Sequence, residues 1–412
     1  MKILFCGIDF NRKDLLNALA PVKNKAQCFF LENFQKLNTG NSHLSSIGRQ
    51  IYWADYNDAF DLLDQVKPDK VVFLLIDNYY HFALLKTAKL RKIPVIYLDH
   101  GIRYEEENEN LKQLEDSRRL TWAAKLKKTY PGVCLSFLKN LFFRNTLQKL
   151  SRADRKLMAK MFFKRGRITH SEFMKQMGYM FVPDEFIMYS PATFRFHKKI
   201  FRLDENKTAT TRVQFIGIPS IDRFSNCHFV PDSKRKVLLF IDQPLYEQNL
   251  LGWTLPLKRK FFDDLLCIVK AHDFKLYIKP HPWNSSENYL MLNSESDVII
   301  INGDLDKEFI ENNVLFVGSF NSTLVLPFCA MDQVITFCME NHPIAILPAI
   351  SEGITKYKVA AKIRSTDELK AMFSNRENIL ISKRENIPLF IKDVLYLFDG
   401  RSGERMVNVL TA

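Results

Sequence analysis

No apolar run in this sequence approaches the roughly 20 residues that a helix needs to cross a bilayer, so no spanning helix is expected. The start, MKILFCGIDF, reaches a turn after one short apolar run. It lacks the longer apolar region and small-residue cleavage site of a secretory signal, and it reads as a strand. CxxC pairs are missing as well. The seven cysteines (Cys6, Cys28, Cys134, Cys227, Cys267, Cys329, Cys338) are scattered, mostly in apolar surroundings, and read as buried free thiols of a reducing compartment. The nine histidines form no HExxH and no pair at helical ligand spacing, and neither a GxSxG elbow nor a Walker A loop is present. These absences argue against zinc hydrolase, serine hydrolase and P-loop chemistry. No internal repeat or low-complexity tract is visible.

Acidic residues are scarce in one segment. Between Lys112 and Arg167 sixteen Lys or Arg stand against Glu115, Asp116 and Asp154 alone, so this stretch carries the whole formal net charge of +13. Aromatic and aliphatic residues interleave with the cations in FLKNLFFRNTLQKL and KLMAKMFFKRGR, which predicts amphipathic helices with basic polar faces. Such helices suit an anionic membrane surface. Nucleic acid, and a solvated face that binds nothing specific, are the competing readings.

What the chain has in quantity is ordinary globular material: 412 residues with 47% hydrophobic and 25% charged, enough for two domains that each bury a core. Short β-rich runs (MKILFCGI, KAQCFFL, KVVFLLI, IPVIYLDHG) alternate with amphipathic stretches such as NDAFDLLDQVK and YYHFALLKTAKLRK. That alternation predicts a parallel sheet with helices on both faces. After the basic region and TRVQFIGIPSIDRF, a polar stretch around SNCHFVPDSKRK precedes a second series: KVLLFIDQP, LKRKFFDDLLCIVKAH, FKLYIKPHP, VIIING, VLFVGS and VITFC. The expected fold class is α/β. Its expected parts are a Rossmann-like domain over 1–225 with a basic helical insertion near 108–170, a second over 236–395, a linker near 226–236, and a tail or helix over 396–412.

In open α/β sheets ligands bind beyond the carboxyl ends of the strands, so the strand ends hold the candidate residues. In LDHG, Asp99 ends an apolar strand before the flexible Gly101 and suits a general base, with a cap or turn aspartate as the alternative. In KLYIKPHPW, Lys279 and His281 each precede a proline, which holds both in extended geometry. His281 can donate to a phosphate or a leaving oxygen and Lys279 adds field; a structural hydrogen bond is the alternative. In VGSFNSTLVLPF, Ser319, Asn321, Ser322 and Thr323 precede an apolar helix whose start suits an anion. One N-cap explains one hydroxyl there, but three hydroxyls and an amide less well. In DLDKEFIENN, Glu308 can grip ribose hydroxyls, Asp306 or Glu311 can serve in its place, and a solvated helix face is the alternative. Gly217, ending the strand in TRVQFIGIP, is a further candidate donor contact. Together these residues would outline a nucleotide pocket in the second domain with Asp99 facing it from the first.

At these residues the sequence resembles the two-domain GT-B glycosyltransferases of bacterial surface-polysaccharide synthesis, in particular the sialyltransferases and polysialyltransferases that use CMP-activated sugars. His281 and Pro282 match the HP motif, Ser322 and Thr323 the paired hydroxyls, and Asp99 and Gly101 the acid-acid-glycine motif, with His100 in place of the second acid. FIDQPLYE resembles the strand that opens the family's second domain. The resemblance implies two Rossmann-like doubly wound domains facing a central cleft, an inverting transfer that needs no metal or other cofactor, and Asp99 as the base. It also implies that His281, Ser322 and Thr323 bind the nucleotide phosphate and that Glu308 holds the ribose; Lys279, Pro282, Ser319, Asn321 and Gly217 complete the expected donor contacts. The expected donor is a CMP-linked sialic acid-like sugar or Kdo, and the expected acceptor a cell-surface glycan or glycolipid of capsule or lipopolysaccharide type. The expected location is cytoplasmic, on the inner membrane face through the basic helices 112–167, with no nucleic acid partner. Kdo transferases, CDP-polyol phosphotransferases and UDP-GlcNAc 2-epimerases share an HP-type motif, and FDGRSGERMVNVL resembles the terminal helix of the latter two. A CDP-polyol phosphotransferase and a non-catalytic basic adaptor on membranes or nucleic acid are the alternatives.

Overall fold

Short buried strands flanked by amphipathic helices form two parallel sheets. The computed structural model describes residues 1–7, 12–32, 43–107, 113, 129–165, 170–282, 284, 289 and 297–412. Among these the chain divides into two units, one of 1–103, 121–220 and 401–412, the other of 104–120 and 221–400.

The first unit holds β1 (Lys2–Cys6), β2 (Gln27–Glu32), β3 (Arg49–Tyr52), β4 (Lys70–Phe73), β5 (Val95–Leu98), β6 (Glu185–Met188) and β7 (Arg212–Phe215), in the order β3-β2-β1-β4-β5-β6-β7. Every pairing in it is parallel. VIYL of β5 is buried at all four positions, as a strand covered on both faces must be. The helices Thr129–Lys149 and Arg152–Arg165 of the basic segment place Phe142, Phe143, Met158 and Met161 in this unit's core, with Leu150 between them, beside Trp53, Phe82 and Phe173. Part of their charge holds structure: Lys149 pairs with the N-capping Asp58 at 2.6 Å, Lys86 with Asp154 at 2.7 Å, and Arg155 donates to the carbonyls of Leu147, Gln148 and Leu150 at the preceding helix end. Arg144, Arg152, Lys156 and Lys160 remain exposed, with Leu141, Leu157 and Phe163 among them. The part of the predicted basic insertion at 108–112, 114–128 and 166–169 lies outside the described residues.

The last helix, Ser402–Thr411, belongs to this first unit. Arg405 donates to the Ile216 carbonyl at 2.7 Å, and Lys70 to that of Leu410 at 3.1 Å. Gly217 sits against it with φ +85°, and a Cβ there would fall 2.3 Å from the Ser402 hydroxyl.

The second unit holds β8 (Val237–Ile241), β9 (Lys275–Lys279), β10 (Val298–Ile300), β11 (Val314–Ser319), β12 (Ile335–Met339) and β13 (Ala361–Ile363), in the order β10-β9-β8-β11-β12-β13, again all parallel. Both sheets therefore follow the doubly wound order, reversing direction beside their first strand. VLLFI of β8 and VLFVGS of β11, adjacent at that reversal, are buried throughout. Gly318 lies within β11, and a Cβ on it would fall 2.1 Å from the ring of Phe337 on β12, which accounts for the glycine. No helix among the described residues is long and apolar enough to cross a membrane. Among the described cysteines, Cys6, Cys28, Cys329 and Cys338 are buried free thiols, Cys227 is half-buried, and Cys267 is exposed, unlike the expectation for it.

Candidate functional site

In the second unit the candidates converge where the sheet reverses. Parallel pairing aligns the carboxyl ends of β9, β8 and β11, so Lys279, Ile241 and Ser319 lie side by side, with Lys279 and Ser319 each in register with Ile241. The chain beyond β9 reaches Pro280, His281 and Pro282. Lys279 and His281 are half-buried and Pro282 is exposed. Burial lowers the Lys279 pKa, with Arg223 acting in the same sense and Asp304 against. A desolvated lysine beside a half-buried histidine suits an anion, whose charge would restore what burial takes away.

Beyond β11, the predicted hydroxyls separate into two kinds. Ser319 is fully buried; its hydroxyl donates to the Ile241 carbonyl (2.9 Å) and accepts from the Ser322 N–H (3.1 Å), so it ties the turn rather than lying open to a ligand. Ser322 is half-buried and accepts from the Leu324 N–H at 3.3 Å, while Thr323 is exposed. The expected helix is short: a 3₁₀ turn, Thr323–Val325, runs into Leu326–Cys329. Four α-helical residues carry little macrodipole, so an anion here would depend on the hydroxyls and local N–H groups. Glu308 is exposed on the helix Lys307–Asn313, between β10 and β11. Its two alternatives are engaged elsewhere: Asp306 caps that helix, and Glu311 accepts from the His228 N–H at 2.6 Å.

The residues that hold these ends together are not among the candidates at the strand ends. Asp242 leaves β8 buried, and its carboxylate receives the Lys258 ammonium (2.8 Å), the Asn284 amide (2.8 Å) and the Tyr289 hydroxyl. Burial raises its pKa, although the charge of Lys258 and these hydrogen bonds oppose the rise. Gln243 makes a two-way bond to the backbone of Asn321, donating to its carbonyl (2.7 Å) and accepting from its N–H (3.0 Å). The signal was present in FIDQPLYE, where an apolar strand ends abruptly in an acid and an amide.

In the first unit Asp99 follows β5 and is 1% exposed. One carboxylate oxygen accepts from the His100 N–H (3.1 Å) and lies 3.7 Å from the ring nitrogen Nε2 of His197, and the other accepts from the Tyr189 N–H (3.3 Å). Burial alone would push this carboxyl up. The nearby imidazole of His197, with His100 and Thr193, outweighs this and holds the pKa below the usual carboxylate value. His100 is half-buried, with its carbonyl accepting from Arg12 at 2.6 Å. Gly217, in this unit too, is separated by the unit boundary from the other donor candidates.

Residues 27–341 match the family model described as Alpha-2,8-polysialyltransferase (POLYST). The chain belongs to this polysialyltransferase family. Among solved structures, UDP-GlcNAc 2-epimerase from Neisseria meningitidis matches at TM-score 0.50 and 13% identity, over 100% of both chains. The wall teichoic acid polymerase TagF matches at TM-score 0.50 and 12% identity, over 99% of this chain and 87% of its own. Among curated proteins no relative matches. The fold is that of the GT-B glycosyltransferases. As a family member the protein is a glycosyltransferase, taking a nucleotide-sugar donor and a glycan acceptor. His281–Pro282 and Ser322–Thr323 of this polysialyltransferase-family chain follow the strands on either side of β8 in one unit, although Pro282 and Ser322 are 40 positions apart in the sequence.

Proposed function

We propose that the protein is an inverting, metal-independent glycosyltransferase that moves an acidic sugar, sialic acid-like or Kdo, from a CMP-activated donor to a cell-surface glycan or lipid-linked acceptor. The supporting observation is the alignment of the β9 and β11 exits on either side of β8, with half-buried Lys279 and His281 on one side and Ser322 and Thr323 on the other. Such an arrangement suits a phosphate whose charge grows as its bond to the sugar breaks. In the step, the acceptor hydroxyl oxygen forms a bond to the anomeric carbon as the bond from that carbon to the phosphate oxygen breaks. The acceptor proton passes to the base at the end of β5, to which we assign Asp99, and CMP leaves with the bonding pair. His281, Ser322 and Thr323 hold the departing phosphate, Lys279, Asn321 and Pro282 shape its surroundings, and Glu308 holds the ribose.

The test is transfer from CMP-sugars to a glycan acceptor. His281→Ala is expected to weaken CMP binding, and unchanged binding removes its phosphate role. Loss of transfer in Asp99→Asn with activity kept in His100→Ala supports Asp99 as the base, whereas the reverse result moves that role to His100. The greater exposure of His100 favours a second reading, transfer of a polyol phosphate from a CDP-polyol with a histidine as base. A structure of TagF, the wall teichoic acid polymerase, was obtained with CDPG. Assaying CDP-glycerol and CDP-ribitol beside CMP-sugars separates the two readings.

We assign the exposed cations Arg152, Lys156 and Lys160, with Phe163 among them, to an anionic surface on the cytoplasmic face of the membrane. Lys156→Glu with Lys160→Glu is expected to reduce co-sedimentation with phosphatidylserine vesicles; equal sedimentation rejects that assignment.

A further inference from the structure

We infer that Asp242 and Gln243 are a positioning pair that fixes the His281 turn and the Ser322–Thr323 turn at one spacing, so that both meet the leaving phosphate together. The inference rests on the donor-site reading above and adds residues to it. Asp242 and Gln243 are successive residues at the exit of β8, the strand between β9 and β11.

Asp242 governs the β9 side. Its N–H donates to the Lys279 carbonyl at 3.0 Å, extending the ladder by one bond past the strand. Its carboxylate takes the Asn284 side-chain amide at 2.8 Å, and the Asn284 N–H donates to the His281 carbonyl, also at 2.8 Å. His281 is thus bracketed by bonds that lead back to one residue, through the Asp242 backbone N–H on one side and its carboxylate on the other. Lys258 fixes that carboxylate and Glu247 at 2.8 Å each, and the Tyr289 hydroxyl reaches both Asp242 and, at 2.6 Å, Asn284. Asp242, Lys258 and Tyr289 are each less than 5% exposed.

Gln243 governs the β11 side. Its two bonds to Asn321 fix the residue before Ser322, and Ser319 adds the bond from its hydroxyl to the Ile241 carbonyl of β8. The two turns belong to strands that are not neighbours, so their spacing depends on what leaves the strand between them. A buried ion cluster is a costly way to stabilise a core compared with apolar packing of the same volume. What this cluster provides is fixed direction: three donors converge on the Asp242 oxygen Oδ2 and hold it in place. Misplacing a group that supports the reacting atoms by about 1 Å is enough to cost on the order of a hundredfold in rate.

The experiment uses the full chain with Gln243→Met, which keeps length and loses both bonds to Asn321, and Tyr289→Phe, which keeps the ring and loses one bond to Asp242. Binding of CMP, CDP, UDP and GDP is measured by calorimetry, transfer from a CMP-sugar gives kcat and KM, and denaturant unfolding reports stability. Gln243→Met is expected to lower kcat about tenfold or more, beyond any rise in KM, and to weaken binding of the preferred nucleotide, while unfolding stays cooperative. Tyr289→Phe is expected to act in the same direction and less strongly, and it keeps the inference testable if Gln243→Met fails to fold. Wild-type kcat and nucleotide affinity in a folded Gln243→Met, or in folded Tyr289→Phe where the first variant does not fold, overturn the positioning role. If the wild-type chain binds none of the four nucleotides, the donor-site reading falls and this inference falls with it. The two failures are distinct, because one is seen in the wild type and the other only in the variants.

Discussion

Raising the pH from about 7 to about 10 is expected to stabilise the wild-type chain relative to Lys383→Met. Lys383 is 1% exposed, and its ammonium donates to the carbonyls of Phe328 (2.7 Å) and Val334 (2.5 Å). Burial, against smaller opposing effects from Cys329 and Asp332, brings its pKa down from 10.5 to about 7. A lysine whose folded pKa is depressed penalises the fold fully below about 7, and the penalty is relieved as pH rises toward 10.5. In that interval the unfolded chain still binds the proton that the native chain has released, so unfolding becomes harder with each step in pH. At about 1.4 kcal/mol per pH unit, the relief by pH 10 is up to about 4 kcal/mol. The buried thiols Cys6 and Cys338, whose pKa values burial raises, act in the opposite sense above pH ~8.5, but equally in both proteins. Replacement by Met also removes the bonds to these two carbonyls, at about 0.5–1.5 kcal/mol each and independent of pH, with the Phe328 carbonyl keeping the Met331 N–H at 3.2 Å. Urea unfolding in a buffer series reads the difference between the two proteins, which should widen with pH. Curves that stay parallel within about 1 kcal/mol refute the reasoning.

Three further outcomes are expected. Gly318→Ala forces a methyl group against the Phe337 ring in a fully buried layer and should cost about 1–3 kcal/mol, read by denaturant unfolding; an unchanged midpoint would show that the ring has room to move. Arg235 is fully buried, with its guanidinium donating to the Val314 and Gln333 carbonyls at 2.8 Å each and pairing with Asp232. Arg235→Met should therefore destabilise the second unit by about 3 kcal/mol in the same assay. Transfer activity should survive excess EDTA, and a loss restored by Mg²⁺ or Mn²⁺ would overturn the metal-independent mechanism.

The strands were legible because a parallel strand covered on both faces has to be an apolar run. KVLLFI, VLFVGS and IPVIYL announce themselves, and each occupies a buried strand. Asp99, His281, Ser322 and Thr323 were legible as strand-end residues, since polar groups right after such runs stand where open α/β sheets bind ligands. Ser319 was harder to read: nothing local separates a hydroxyl that faces a ligand from one that bonds the neighbouring strand's carbonyl. Asp242 and Gln243 were less visible still, because their meaning lies in partners 42 and 78 residues away. The last helix could be recognised as a helix, but not as a member of the first unit.

Local pattern by itself determined the alternation of strand and helix, the parallel class of both sheets, and which strand ends carry the candidate polar groups, because burial on two faces and the φ limits of proline act over a few residues. Tertiary structure alone decided the order β10-β9-β8-β11-β12-β13, and with it the placing of the β9 and β11 turns on either side of Asp242 and Gln243. It also decided that Asp99 is enclosed with Tyr189 and His197. Those facts depend on side chains from distant segments competing for the same carboxylates and carbonyls, and no window of sequence contains both partners.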